Sequence, residues 1–441
     1  MLAAMPDSAP SPLSVGGVPS RAGGDACPGT LRLHRADDGA LARVRIPGGV
    51  LDPGQADALL AAAERFGDGD LHLTSRGNVQ LRGLGTECGG ALAALLTDAG
   101  LLPSAAHERA RNIVASPSAG LDGSPSLTAW LRELDRLVCG SPAAAALSGR
   151  FLFALDDGRG DVDALGADVT VIAEGGSAAL LRIGAADEVF RIPAAEAPRA
   201  ALRGAEAFLR AASGSGAWRV KDLPDAVRVE LVRAIGSAAG PAERRPRPRT
   251  ATPPAPGPLG STAALGIDVP LGRLTPAQWR LLTDTARRYG TDTARSDDTD
   301  SAGHSGGELR LTPWRGVVIP FGAGEAEAAD ALRTLSESGL ITAPDSPWTG
   351  VGACIGHPGC AKSLSDVRAE AGAAVGAPGR LPVYWSGCER RCGHPHGEWI
   401  DVVATPDGHR ISHVRGERRD APTTVRNDPA RLAAAVAGAR A

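Results

Sequence analysis

The chain has 441 residues, enough for two or three domains that each bury a core, and at 43% hydrophobic and 22% charged its composition is that of a globular protein. A formal charge of −3 excludes a general field attracting nucleic acid or anionic membrane, and no apolar run approaches the roughly 20 residues a membrane helix needs. Basic charge rests almost wholly on arginine, Lys221 and Lys362 being the only lysines, so one arginine alone carries little functional weight.

Residues 1–24 have no basic start ahead of an apolar core and are expected as a disordered leader rather than a signal peptide, which implies a cytoplasmic location. In that setting the seven cysteines are expected as thiols or metal ligands rather than disulfides. Next comes a unit written twice. Residues 46–67, IPGGVLDPGQADALLAAAERFG, align without a gap on 269–290, VPLGRLTPAQWRLLTDTARRYG, with nine identical positions. Pro53 and Pro276 sit where a first helical turn tolerates a missing N–H, and apolar residues then recur at helical spacing. An apolar strand follows in each copy, LHLTSRGNVQLRGL (71–84) and LRLTPWRGVVIPFG (309–322), then a second helix around 87–99 and 325–338. Both halves therefore read as α+β units with a helix-backed sheet. Between them, residues 236–262 are too rich in Pro, Gly and Arg to pack as helix or sheet and read as a linker, its arginines 244–249 solvated rather than anion-binding.

Towards the C-terminus Cys354 and Cys360 form a C-x5-C pair, and Cys388 and Cys392 a C-x3-C pair, each in a Gly/Pro-rich loop. Four thiolates suit a tetrahedral zinc ion or an iron–sulfur cluster, and buried inert thiols are the plain alternative. Structural zinc prefers two to four residues between ligands, whereas a cubane accommodates unequal spacings. Exposed backbone N–H groups in such loops could also hydrogen-bond to cluster sulfides. The isolated Cys27, Cys88 and Cys139 are expected as small core residues. No G-x-G-x-x-G follows a strand and opens a helix, so a built-in dinucleotide domain is not expected.

The cysteine spacing, LTSRGNVQLRGL (73–84), RNIVASPSAG (111–120) and the duplicated half together resemble the nitrite/sulfite reductase superfamily over roughly residues 25–430. The resemblance implies an α+β, internally duplicated nitrite/sulfite reductase-like fold, with ferredoxin-like half-domains and helix-backed mixed sheets about a pseudo-twofold axis. It divides the chain into a first half-domain (25–100), a first sulfite reductase-like α/β domain (101–235), the linker, a second half-domain (263–340) and a cluster-binding domain (341–441). Within the superfamily, ACPG (26–29), FALDDGRGDV (153–162), RLTPWRG (310–316) and SGC…CGHP (386–395) resemble the branch that serves aerobic cobalamin biosynthesis.

That resemblance implies a monooxygenase converting precorrin-3A, O2 and reducing equivalents into a C20-hydroxylated γ-lactone. Cys354, Cys360, Cys388 and Cys392 would hold a 4Fe-4S cluster as electron relay, beside a mononuclear non-haem iron. Electrons would come from a separate ferredoxin or flavoprotein, fed ultimately by NAD(P)H. Arg76 and Arg111 are the expected clamp for the tetrapyrrole carboxylates, a task that suits the planar guanidinium fork. Asn78, Gln80 and Arg82 alternate with Val79 and Leu81, so an extended segment would present them as one polar wall. Sulfite reductases carry two lysines just before the segment matching 151–155; here Arg150 and Leu152 stand there, which counts against sulfite or nitrite. Arg150 joins the expected substrate-binding set. His394, His396 and Glu398 are the ligand types of a non-haem iron, although residues i and i+4 of a straight strand lie about 13 Å apart, so the loop would have to curl. The plain reading of this segment is a polar turn. Two alternatives stand beside the oxygenase, a sirohaem-dependent assimilatory nitrite or sulfite reductase and a zinc-stabilised binding protein without catalysis.

Overall fold

The computed structural model describes residues 27–291, 307–395, 397–416 and 418–441; the leader 1–24 and His396 lie outside them. The first unit comprises β1 (His34–Ala36), β2 (Gly39–Val44), β3 (Val50–Leu51), α1 (Pro53–Phe66), β4 (Leu71–Leu73), β5 (Val79–Leu84) and α2 (Gly89–Asp98). Its helix α1 starts where local chemistry dictates. Asp52 accepts from the Gln55 N–H at 2.8 Å, the Gln55 side chain accepts from the Asp52 N–H at 3.2 Å, and Pro53 occupies the first turn.

The second unit holds β6 (Ile113–Ala115), α3 (Thr128–Gly140), β7 (Phe153–Asp156), β8 (Val169–Ala173), β9 (Ala178–Ile183), β10 (Glu188–Pro193), α4 (Ala197–Ala211), α5 (Asp225–Ala239) and β11 (Ala242–Arg244). These strands order as β11-β10-β9-β8-β7-β6, parallel from β6 to β8 and antiparallel beyond. Phe151, Phe153 and Phe208 fill its core.

The duplicated unit returns as β12 (Gly257–Leu259), β13 (Ala264–Asp268), β14 (Arg273–Leu274), α6 (Pro276–Tyr289), β15 (Leu309–Leu311), β16 (Gly316–Pro320) and α7 (Glu325–Glu337). Thr275 and Gln278 rebuild the capping box of Asp52 and Gln55 at the start of α6. Gln55 and Gln278 each reach on to a carbonyl at the end of the following helix, Ala99 and Ser338, so their shared identity has a double use. The halves exchange strands: β3 pairs with β15, and β14 pairs with β4, giving sheets β1-β2-β5-β4-β14 and β12-β13-β16-β15-β3. One apolar core consequently spans both copies, with Leu59, Leu71 and Leu81 packed in the same cluster as Trp279, Leu282 and Leu309.

The last unit contains β17 (Val351–Ala353), α8 (Val367–Ala373), β18 (Val383–Ser386), β19 (Glu398–Thr405), β20 (Gly408–Arg415), β21 (Arg418–Arg419), β22 (Thr423–Val425) and α9 (Pro429–Arg440). Its sheet runs β17-β18-β19-β20-β21, with β22 also on β20. Among the described residues no helix is long and apolar enough to cross a membrane.

Residues 236–262 are not the structureless linker that their composition suggests. Helix α5 extends into them, 242–244 add an edge strand to β10, and 257–259 pair with β13. The open edge of β10 supplies unpaired backbone groups that any neighbouring segment can satisfy, and the one proline inside a paired segment, Pro258, sits on the edge strand β12 opposite Leu265, where a missing N–H is tolerated. Two of the linker arginines are ion-paired, Arg244 with Asp187 at 3.6 Å and Arg245 with Glu174 at 3.9 Å.

Candidate functional site

Strands β17 and β18 are parallel neighbours, Ala353 opposite Trp385, so the loops leaving their C-terminal ends emerge side by side. That juxtaposition puts Cys354 beside the segment leading to Cys388. The Cys354 N–H donates to Trp385 O at 2.9 Å and the Gly387 N–H donates to Cys354 Sγ at 3.2 Å. Gly387 is obligatory there because a Cβ would stand 1.7 Å from Ser363 Oγ. The C-x5-C loop closes with Leu364 N–H on Gly387 O, and the Tyr384 hydroxyl donates to Cys392 O at 2.7 Å. Arg391 takes a left-handed φ of 48°, turning the chain between Cys388 and Cys392.

Cys354, Cys360 and Cys388 all stand near enough to Cys392 to act electrostatically on its thiol. Burial pushes the Cys392 thiol above its ordinary range, and negative charge on Cys388, Cys354 and Cys360 adds to the shift. Yet among the described residues no three of these sulfurs lie within 4.8 Å of one another. A tetrahedral zinc with Zn–S bonds of about 2.3 Å would hold them about 3.8 Å apart. The sulfurs are thus not drawn into the tight tetrahedron of a single zinc ion.

The outer face of the first sheet supplies the second part of the site. Arg43, Gln80, His72 and Arg273 are register partners in a row across β2, β5, β4 and β14, while Val44, Val79, Leu81 and Leu71 face the core. The expected alternation of Asn78, Gln80 and Arg82 against Val79 and Leu81 is present, until Gly83 at φ 65° returns Leu84 to the core. The polar residues do different things, however. Buried Asn78 accepts from the Ile46 N–H at 2.8 Å and donates to Asn112 Oδ1 at 3.3 Å, locking two loops. Gln80 accepts from Arg43 at 3.5 Å. Arg82 is taken by both oxygens of Asp38, at 2.8 and 2.7 Å, and donates to Gly359 O at 2.9 Å, fastening the first sheet to the cysteine loop.

Arg111 also departs from the expected carboxylate clamp. Its fork closes on Asp135 of α3 at 2.7 and 2.8 Å and its third nitrogen donates to Leu101 O, so this guanidinium is already saturated. Arg150 is exposed, with its guanidinium 4.1 Å from the centre of the Trp218 ring. Arg76 differs from both: it lies in the Thr74–Asn78 turn, donates to Gly149 O at 3.2 Å, and makes no ion pair with a carboxylate among the described residues. Burial and then the charges of Arg219 and Arg43 push its pKa down to about 10. No local motif points to Arg368. From α8 it donates to Cys354 O at 3.2 Å and is likewise pushed down to about 10, by burial and by Arg273, Arg315 and Arg82. Half-buried cations crowded by like charge favour an anionic ligand beside them.

For the second iron, the C-terminal loop does not gather the expected ligands. His394 stacks on Trp399, ring centres 5.4 Å apart, and Glu398 turns to His413 at 2.8 Å and Arg415 at 3.4 Å; His396 lies outside the described residues. The exposed His357 only donates its backbone N–H to Ser365 O. Of the isolated cysteines, Cys88 packs on the shared core, whereas Cys27 sits against Gly149 and the Arg43/Arg76 group rather than in a core.

A nitrite/sulfite reductase ferredoxin-like half domain matches residues 33–98. The solved structure of the Mycobacterium tuberculosis NirA protein superposes with a TM-score of 0.65 at 20% identity, over 90% of this chain and 79% of that one. The chain therefore has the nitrite/sulfite reductase fold, built from ferredoxin-like half-domains and helix-backed mixed sheets. A precorrin-3B synthase of Sinorhizobium is 27% identical over 418 residues, 91% of this chain and 85% of the relative. A ferredoxin–nitrite reductase of Synechococcus elongatus is 26% identical over 424 residues, 85% and 78% of the two chains. The chain is thus a homologue of oxidoreductases, with precorrin-3B synthase among them over nearly its whole length.

Proposed function

We propose that the chain is an O2-dependent precorrin-3B synthase, hydroxylating precorrin-3A at C20 with γ-lactone formation. The observation that carries the reading is the pairing of four neighbouring cysteines with two half-buried guanidinium groups, Arg76 and Arg368, that make no ion pair with a carboxylate among the described residues. A tetrapyrrole rimmed with carboxylates supplies the missing countercharge. Arg76 would orient one edge of the ring and Arg368, fixed to the backbone of Cys354, the edge nearest the cysteines.

Cys354, Cys360, Cys388 and Cys392 have the donor type of a 4Fe-4S cluster and the unequal sequence spacing that a cubane accommodates; when bound it would deliver electrons one at a time. The reaction needs two electrons and two protons, since one atom of O2 enters the substrate and the other leaves as water. A separate ferredoxin or flavoprotein is the proposed source. The test is to incubate the reduced protein with precorrin-3A under 18O2 and weigh the product: one added labelled oxygen supports the reading, and recovery of unchanged substrate sinks it.

The nitrite reductase relatives favour one competing reading, a sirohaem-dependent reductase. It predicts sharp haem bands in the purified protein and consumption of nitrite or sulfite under reducing conditions. Arg150 and Leu152, standing where sulfite reductases carry two lysines, speak against it.

A further inference from the structure

The segment DGDLH at the start of β4 gathers Asp68, Asp70 and His72, with one ligand atom from each lying within 4.8 Å of the others. His72 is only 7% exposed, and among the described residues neither of its ring nitrogens has a hydrogen-bond partner. Its Nε2 lies 3.8 Å from Asp68 Oδ2. That is too long for a hydrogen bond, and a small adjustment from the roughly 3–3.5 Å between two donors on one ion with bonds of about 2.1 Å. Leaving a buried imidazole unpaired costs about what a lost hydrogen bond costs, so the site calls for an occupant.

The carboxylates are arranged to receive one. Asp68 Oδ1 accepts from the Asp70 N–H at 3.1 Å and Asp70 Oδ2 accepts from Arg273 Nε at 2.5 Å, which fixes both groups through one oxygen each. No hydrogen bond is drawn to Asp68 Oδ2 or Asp70 Oδ1 among the described residues. We propose that Asp68, Asp70 and His72 form a binding site for one divalent transition-metal ion, with water or an exogenous ligand completing its shell. One imidazole and two carboxylates suit Mn2+ or Fe2+ rather than a soft, thiolate-seeking ion, and Arg273 is the outer partner that orients Asp70. This site is separate from the cysteine loops and does not depend on the substrate proposed above.

Titration of the full-length protein with Mn2+, followed by loss of the free-ion EPR signal, tests this directly because Mn2+ favours N/O donors over thiolates. One equivalent is expected to bind, and His72→Ala and Asp68→Asn are each expected to weaken it at least tenfold, with Cys388→Ser leaving it intact. No uptake by the wild-type protein overturns the site, as does unchanged affinity in both substituted proteins. If His72→Ala fails to fold by circular dichroism, Asp68→Asn, on the rim of the hairpin, decides alone.

Discussion

Trp279 in the second half donates its indole N–H to the carbonyl oxygen of Ala56 in the first, 2.8 Å away and fully buried. Residues 223 positions apart are joined across α1 and α6, the helices whose sequences betray the duplication. Because the Ala56 carbonyl would be left without this partner, Trp279→Phe is expected to destabilise the paired half-domains by about 1–3 kcal/mol, and Trp279→Ala by about 3–5 kcal/mol. Urea unfolding monitored by circular dichroism measures both.

The Arg82 fork binds Asp38 with two hydrogen bonds and Gly359 with a third, so it couples the first sheet to the C-x5-C loop. Lysine keeps the charge and loses the bidentate geometry. Arg82→Lys is expected to leave secondary structure unchanged but to speed proteolysis of the 354–364 loop severalfold in limited digestion. Equal cleavage rates would show that the loop is held by other contacts.

Asp161 is buried with Asp156 and Asp157, accepts from Ser116 Oγ at 2.5 Å, and has its pKa pushed up to about 7 by burial and then, against the pull of that hydrogen bond, by the two neighbouring carboxylates. The folded protein therefore holds a proton that the unfolded chain, with a carboxyl near 3.8, releases earlier. Stability is favoured below pH 3.8 by this group, declines as pH rises from about 3.8 to about 7, and is level above. Asp161→Asn keeps an acceptor for Ser116 and removes the titration, so its stability relative to wild type should climb across that window and plateau, by on the order of a few kcal/mol. Parallel denaturation curves at pH 5 and pH 8 suffice; a constant difference between the two proteins would contradict the assignment.

Replacing Cys388 by serine removes one of four sulfurs and is expected to lower bound iron and the associated visible absorbance to background after anaerobic purification. Retention of full iron content would show that the other thiols hold the metal without it.

Arg368→Ala is expected to weaken tetrapyrrole binding by about 2–5 kcal/mol if its guanidinium meets a buried carboxylate, and Arg111→Ala, its fork already closed on Asp135, by much less. Fluorescence or absorbance titration with a tetrapyrrole polycarboxylate separates the two.

Short-range chemistry was the legible part of this sequence. Pro53 and Pro276 announced two equivalent helices because a proline is tolerated only in the first helical turn, and the cysteine pairs marked their loops because spacing survives folding. The strand exchange was hidden: β3 and β14 have two residues each, too few to show any period. For the arginines, residue type and strand face could be read, but not the acid standing opposite. Asp38 and Asp135 lie 44 and 24 residues from Arg82 and Arg111, and nothing local predicts that they occupy those forks. Arg368 reaches the site only through the packing of α8 beneath Cys354, information that no window of sequence contains.

Because β3 and β14 cross over, each copy completes the other's sheet. Neither can drift on its interior side without harming its twin, yet the outward sides are released from that bond. There Gln80 and Arg82 in one copy face Val318 and Pro320 at the equivalent places in the other. The interlock thus ties the two interiors together while leaving the outward positions free to differ, His72 giving way to Arg310 as Gln80 does to Val318.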